Sequence, residues 1–129
     1  MKTNEAVARR WLASKHWGGA RVGMVRADGK VVLGESRNKY VQEVRLEGVG
    51  WVDLCDDWIF DLDHPGTRAF LLEDVRRSWG RAVSVVMPCD GRPEFAVEIE
   101  HADEWPCYWD RYTGPSEAEA LIAALEAAP

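Results

Sequence analysis

The stretch Val83-Ser84-Val85-Val86-Met87, Pro88-Cys89-Asp90-Gly91-Arg92-Pro93, Glu94-Phe95-Ala96-Val97-Glu98-Ile99-Glu100 decides the fold class. Its last seven residues alternate with a period of two, which predicts Phe95, Val97 and Ile99 on one face of a strand and Glu94, Glu98 and Glu100 on the other. Residues 83–87 are continuously apolar enough to predict a buried central strand. Asp90-Gly91 between two prolines supplies the turn, so the two strands run antiparallel. Residues 107–112 extend the pattern with a further strand.

Working outward, Leu71, Val75 and Trp79 recur at i,i+4 with Phe70 and Leu72 beside them, which predicts a helix over 66–79. Asp63 stands where a cap belongs, Pro65 suits the first turn, and Gly80 terminates. The last helix, 116–127, opens with Ser116 and Glu119 in capping-box spacing and buries Ala118, Leu121, Ile122 and Leu125. At the other end, Val7 with Trp11 and Ala8 with Leu12 predict a helix over 4–15, capped by Thr3 or Asn4 and closed by Gly18-Gly19. Residues 21–27 and 30–34 read as a hairpin around Asp28-Gly29, residues 40–47 as a third strand, and 48–63 as a loop with a short strand. The order is α-βββ-α-βββ-α. It predicts an α+β fold in which an antiparallel β-sheet is packed by helices, a sandwich, as a single domain over 1–129.

Composition agrees with a globular chain: 129 residues, 47% hydrophobic, with seven tryptophans. Most of these are expected in the core, with Trp17 and Trp105, both in loops, expected to be the exposed exceptions. Cys55, Cys89 and Cys107 form no CxxC pair, and no leader-like segment is visible. Reduced thiols in a cytoplasmic protein are therefore expected, with Cys55 and Cys107 as small core groups and Cys89 in a turn. No apolar run approaches the roughly 20 residues of a membrane span.

Two segments resemble small uncharacterised phage and prophage proteins of the phage ABA-sandwich type. One is Asp61-Leu62-Asp63-His64-Pro65-Gly66-Thr67-Arg68, continuing into Leu71-Leu72, Val75-Arg76 and Trp79-Gly80. The other is Thr113-Gly114-Pro115-Ser116-Glu117-Ala118-Glu119-Ala120-Leu121, ending in Ala123-Ala124-Leu125-Glu126-Ala127-Ala128-Pro129. Together they cover about a third of the chain. The resemblance implies a helix–sheet–helix fold and a mobile-element origin, and it carries over no catalytic residue.

Charge separates along the chain. Residues 1–50 hold ten Lys and Arg against five Asp and Glu; residues 51–129 hold six against seventeen. Arg9, Arg10, Lys15, Arg21 and Arg26, with Trp11 and Trp17 interleaved, have the composition of a single-strand nucleic-acid groove. The sequence pI near 5.1 opposes such binding, and no direct nucleic-acid contact is expected. The acidic half suits a protein partner with a basic surface, met by Glu94, Glu98, Glu100, Asp103, Glu104 and Trp105, with Trp17 as a further binding residue.

Asp53, Asp56, Asp57, Asp61 and Asp63 beside His64 make the candidate metal cluster, but they lack calcium-loop spacing. GxSxG, HExxH and GxxxxGK[ST] are absent. No catalytic residue, metal or cofactor is expected. The expected function is a non-enzymatic phage accessory protein acting by protein–protein contact, most specifically an anti-defence inhibitor of a CRISPR effector or similar host protein. The alternatives are a self-associating virion structural or assembly protein and a small metal-dependent enzyme using the Asp53–His64 region.

Overall fold

Among the described residues, three helices and six strands follow one another as α1 (Lys2–Ala13), β1 (Val32–Arg37), β2 (Gln42–Leu46), β3 (Gly50–Asp53), α2 (Pro65–Trp79), β4 (Val83–Val86), β5 (Phe95–His101), β6 (Tyr108–Gly114) and α3 (Glu117–Ala127). This is the α+β class in the expected α-βββ-α-βββ-α order. The computed structural model describes residues 2–38, 40–88, 91 and 93–129, with side chains from residue 5 onward. The strands form two three-stranded antiparallel sheets, β1-β2-β3 and β4-β5-β6. Contacts divide the chain into two units, Met1–Phe70 and Leu71–Pro129, with the boundary inside α2.

In the first unit, the helical period of α1 buries Val7, Ala8 and Trp11. Trp11 meets the Trp17 ring edge-on at 4.8 Å and Phe60 at 6.4 Å. The Arg21 guanidinium lies over Trp11, Trp17 and Phe70. Met24, Val32, Val44, Leu46 and Leu62 complete the buried set. The Gln42 side chain ties β2 to the segment before the sheet: its amide donates to the Ala20 carbonyl at 2.7 Å and its oxygen accepts from the Ala20 N–H at 2.9 Å.

Several local expectations are corrected here. Residues 21–27 are not a strand. The turn at Asp28-Gly29 forms, with Gly29 at φ 86° and the Arg26 N–H bonded to the Lys30 carbonyl at 2.9 Å. Beyond it the hairpin shrinks to a Val25–Val31 bridge. The reason is competition for the backbone: Thr67 Oγ1 takes the Val25 N–H at 2.9 Å, while Ala27 and Val25 bond to Ile59 and Asp61 at 2.7 Å. The first strand therefore runs 32–37. Helix α1 already includes Thr3 and Asn4, whose side chains lie outside the described residues, so neither holds the cap position. It also ends at Ala13, ahead of Gly18-Gly19.

Helix α2 is capped by His64 in place of Asp63. The Thr67 N–H donates to His64 Nδ1 at 3.3 Å, and Pro65 takes the first helical position. Gly80, at φ 63°, closes the helix as expected.

The second unit is built on β5. That strand is central and β4 is an edge, reversing the expectation for 83–87. The β4 segment is also only partly buried: Val83 alone is buried and Met87 is exposed, because an edge strand has a neighbour on one side only. Register is even: β5 pairs with β6 from Phe95–Gly114 to His101–Tyr108, and with β4 from Val83–Ile99 to Val86–Ala96. Helix α3 packs on β5 and β6, burying Ala118, Leu121, Ile122 and Leu125. Its cap is Ser116, whose Oγ accepts from the Glu119 N–H at 3.2 Å. The return arm of the expected capping box is replaced by a Ser116 hydroxyl donating to the Glu119 carboxylate at 3.1 Å. Trp79 Nε1 donates to the Ala124 carbonyl at 2.9 Å, fixing the indole between α2 and α3.

Cys55 and Cys107 are exposed, correcting their expected place in the core. Cys89 and Asp90 lie outside the described residues.

Candidate interaction surface on the β5–β6 hairpin

Cross-strand pairing assigns the side chains of this hairpin to two faces. Glu98 and Glu100 of β5 share one face with Arg111 and Trp109 of β6. Val97, Ile99 and His101 share the other with Tyr112, Asp110 and Tyr108. The second face is the covered one. Val97 and Ile99 are fully buried, Trp79 meets His101 edge-on at 6.1 Å, and Tyr108 stacks on His101 at 4.3 Å. His101 Nε2 lies 2.8 Å from an Asp110 carboxylate oxygen, and its Nδ1 is buried with no hydrogen-bond partner among the described residues. Burial, helped by the Asp110 carboxylate, raises the Tyr112 phenol above its ordinary pKa.

The first face is the acidic one, and it is less uniformly acidic than the sequence implies. Glu98 lies 3.8 Å from Arg111 directly across the ladder. Asp103, in the turn, is ion-paired with Arg81. Hydrogen bonding from that guanidinium holds the Asp103 carboxyl below its ordinary range, and the carboxylate raises Arg81 in turn. Glu100 and Glu104 make no ion pair among the described residues. Glu94 is exposed but sits at the far end of β5, about 20 Å from the turn at ~3.4 Å per residue. The expected strip is thus two clusters: Glu100, Asp103 and Glu104 near the turn, and Glu94 alone. Even so, the Leu71–Pro129 unit carries five Lys and Arg against twelve Asp and Glu, a formal −7, whereas Met1–Phe70 carries eleven against ten.

The turn also carries the most exposed aromatic residue. Trp105 is 94% exposed, as expected for a loop, and precedes a cis Pro106. Trp17 behaves differently: it is half-buried, its ring 5.9 Å from Phe60 and under Arg21, because it completes the aromatic cluster of the first unit. Trp109, Trp51 and Tyr108 are exposed without having been singled out. One signal was available for the hairpin: adjacent Tyr108 and Trp109 in a strand must point to opposite faces, so at least one leaves the core.

The other candidate chemistries are structurally engaged. Arg26 lies 4.9 Å over Trp58 and pairs with Asp28, and Arg9 pairs with Glu5 at 3.1 Å. His64 Nδ1 serves the α2 cap, and an Asp61 carboxylate oxygen accepts the Asp63 N–H at 3.0 Å. Among the described residues no three His, Cys, Asp or Glu side chains converge as metal ligands. A cleft of about 430 Å³ is lined by Arg26, Asp28, Cys55 and Trp58, and another of about 390 Å³ by Trp79, Arg81, Glu100 and Asp103. No helix among the described residues is long and apolar enough to cross a membrane.

The sequence matches no protein-family model, and neither curated proteins nor solved structures yield a match.

Proposed function

We propose that this chain is a non-enzymatic binding protein whose β5–β6 turn docks on a basic surface of a protein partner. One observation carries the reading: an almost fully exposed tryptophan, Trp105, stands beside Asp103 and Glu104 on a unit of formal charge −7. Large exposed aromatics flanked by charge are the composition of an interface anchor with a steering rim. The specific form of the proposal is a phage-derived inhibitor of a nucleic-acid-handling protein in the host cytoplasm, such as a CRISPR effector. There the acidic turn would occupy a basic groove meant for nucleic acid. The engagement of His64 and Asp61 by backbone amides supports the non-enzymatic side of this reading over a metal enzyme using Asp53–His64.

Two variants test the proposal against a partner captured from host lysate by cross-linking and then purified. Glu100→Lys with Glu104→Lys is expected to slow association and flatten its salt dependence, because rim charges act mainly on encounter. Trp105→Ala is expected to speed dissociation about 30-fold, the scale of a ~2 kcal/mol hot spot. Unchanged kinetics in both variants would sink the reading.

A further inference from the structure

Every sheet ends in strands with unpaired backbone groups, and proteins blunt such edges by shortness, bulges, charge or proline. Three of the four edges here are blunted. β1 carries a register shift between Val32 and Gly34 and the charges of Glu35 and Arg37. β3 has four residues and ends in Asp53, and β4 has four and runs into Pro88. β6 is different: seven residues, no shift in register, no proline and no lysine. Among the described residues, no backbone hydrogen bond reaches it except from β5. Its two charges are engaged from within its own sheet, Asp110 by His101 and Arg111 by Glu98.

We infer that β6 pairs with β6 of a second copy of this chain, joining two three-stranded sheets into one of six strands across a two-fold axis. The sequence of the strand selects this occupant. A two-fold axis perpendicular to the sheet places side chains of the same face opposite one another. Centred on Asp110, it sets Trp109 against Arg111 of the second copy, twice, and Tyr108 against Tyr112 of the second copy, twice. These are cation–π and aromatic cross-strand pairs. Centred on Arg111 instead, the strands would lose all four and oppose two arginines. The chosen register has one unfavourable element, Asp110 facing its own copy. The whole-chain charge of −6 adds like-charge repulsion at long range, so added salt strengthens the dimer. Docking of the acidic turn on a basic partner has the opposite salt dependence.

Sedimentation of the full chain, run to about 0.5 mM because one strand edge is a small interface, tests the inference. A concentration-dependent dimer that tightens between low and high salt is expected. Trp109→Lys should weaken it about tenfold or more, since each lost pair occurs twice. That change also lowers the net negative charge, so the loss would not be a long-range effect. Asp110→Asn should tighten the dimer, and Trp105→Ala should leave it unchanged. Should Trp109→Lys fail to fold, amide exchange of the wild type decides: outward-facing β6 amides become protected as concentration rises. A monomer at every concentration, or a dimer whose β6 amides gain no protection, overturns the inference.

Discussion

Sheet β1-β2-β3 and sheet β4-β5-β6 have the same strand order and the same antiparallel pairing, yet they treat their surroundings in opposite ways. The first closes its backbone inward. Gln42 bonds to Ala20, Arg37 reaches the Gly18 carbonyl, and its outer strands are short or bulged. The second spends its closure on one face, where α3 and Trp79 cover Val97, Ile99 and His101. It leaves an aromatic turn and a clean edge in the open, beside a face on which Glu98 and Glu100 are half-buried. Topology is shared; what separates the two sheets is the chemistry of their margins.

The largest expected effect tests whether α3 is the real support of the second sheet. Leu125 is fully buried, and Leu125→Ala should cost about 2–5 kcal/mol in chemical unfolding if the site is packed core. A loss under about 0.5 kcal/mol would make α3 an appendage and dissolve the contrast between the sheets.

A pair of glycines sharpens the comparison at intermediate size. A β-carbon on Gly114 would lie 2.8 Å from the Ala120 backbone nitrogen and 2.9 Å from Glu119 Cβ, where β6 turns into α3. Gly114→Ala should therefore cost about 1–3 kcal/mol, as overpacking does. On Gly34 the nearest atom would be Cη2 of the exposed Trp51 at 3.4 Å, an ordinary contact. Gly34→Ala should change the unfolding free energy by no more than about 0.5 kcal/mol. Equal costs in the two sheets would show that the close approach at Gly114 is not special.

The smallest effect belongs to the first unit. The Arg26 hydrogen bond, with help from the Lys30 N–H, lowers the Asp28 carboxyl to about 2. An unfolded aspartate titrates near 3.9. Because the folded value is depressed, the contribution is fully present above the unfolded value and is lost as pH falls toward about 2. Thermal melts across that interval should show wild type and Asp28→Asn converging as acid is added. The gap should stay small, because the carboxylate is 40% exposed and solvent screens the pair.

Legibility followed the range of the interactions. The inward positions Val97 and Ile99 and the buried face of α3 were visible because side-chain period is a local property, whereas Phe95, at the strand end, is only half-buried. The fate of residues 21–27 was not, because their backbone partners lie at Ile59, Asp61 and Thr67, beyond any window of periodicity. The acidic residues of the candidate surface were legible as residues. Their pairing with Arg81 and Arg111 was not, since it depends on which strands are neighbours. The thiols were misplaced for a different reason: burial of cysteine is a tendency of the residue type, and Cys55 and Cys107 sit in connections that do not enter a core.

The His64 cap has a consequence for the tautomer. An imidazole that accepts at Nδ1 carries its hydrogen on Nε2, which is then the one donor the ring has. The same ring dictates its neighbour: a β-carbon on residue 66 would come within 2.9 Å of His64 Cε1. Glycine, which ordinarily weakens a helix by about 0.5–1 kcal/mol relative to alanine, here leaves the ring its room.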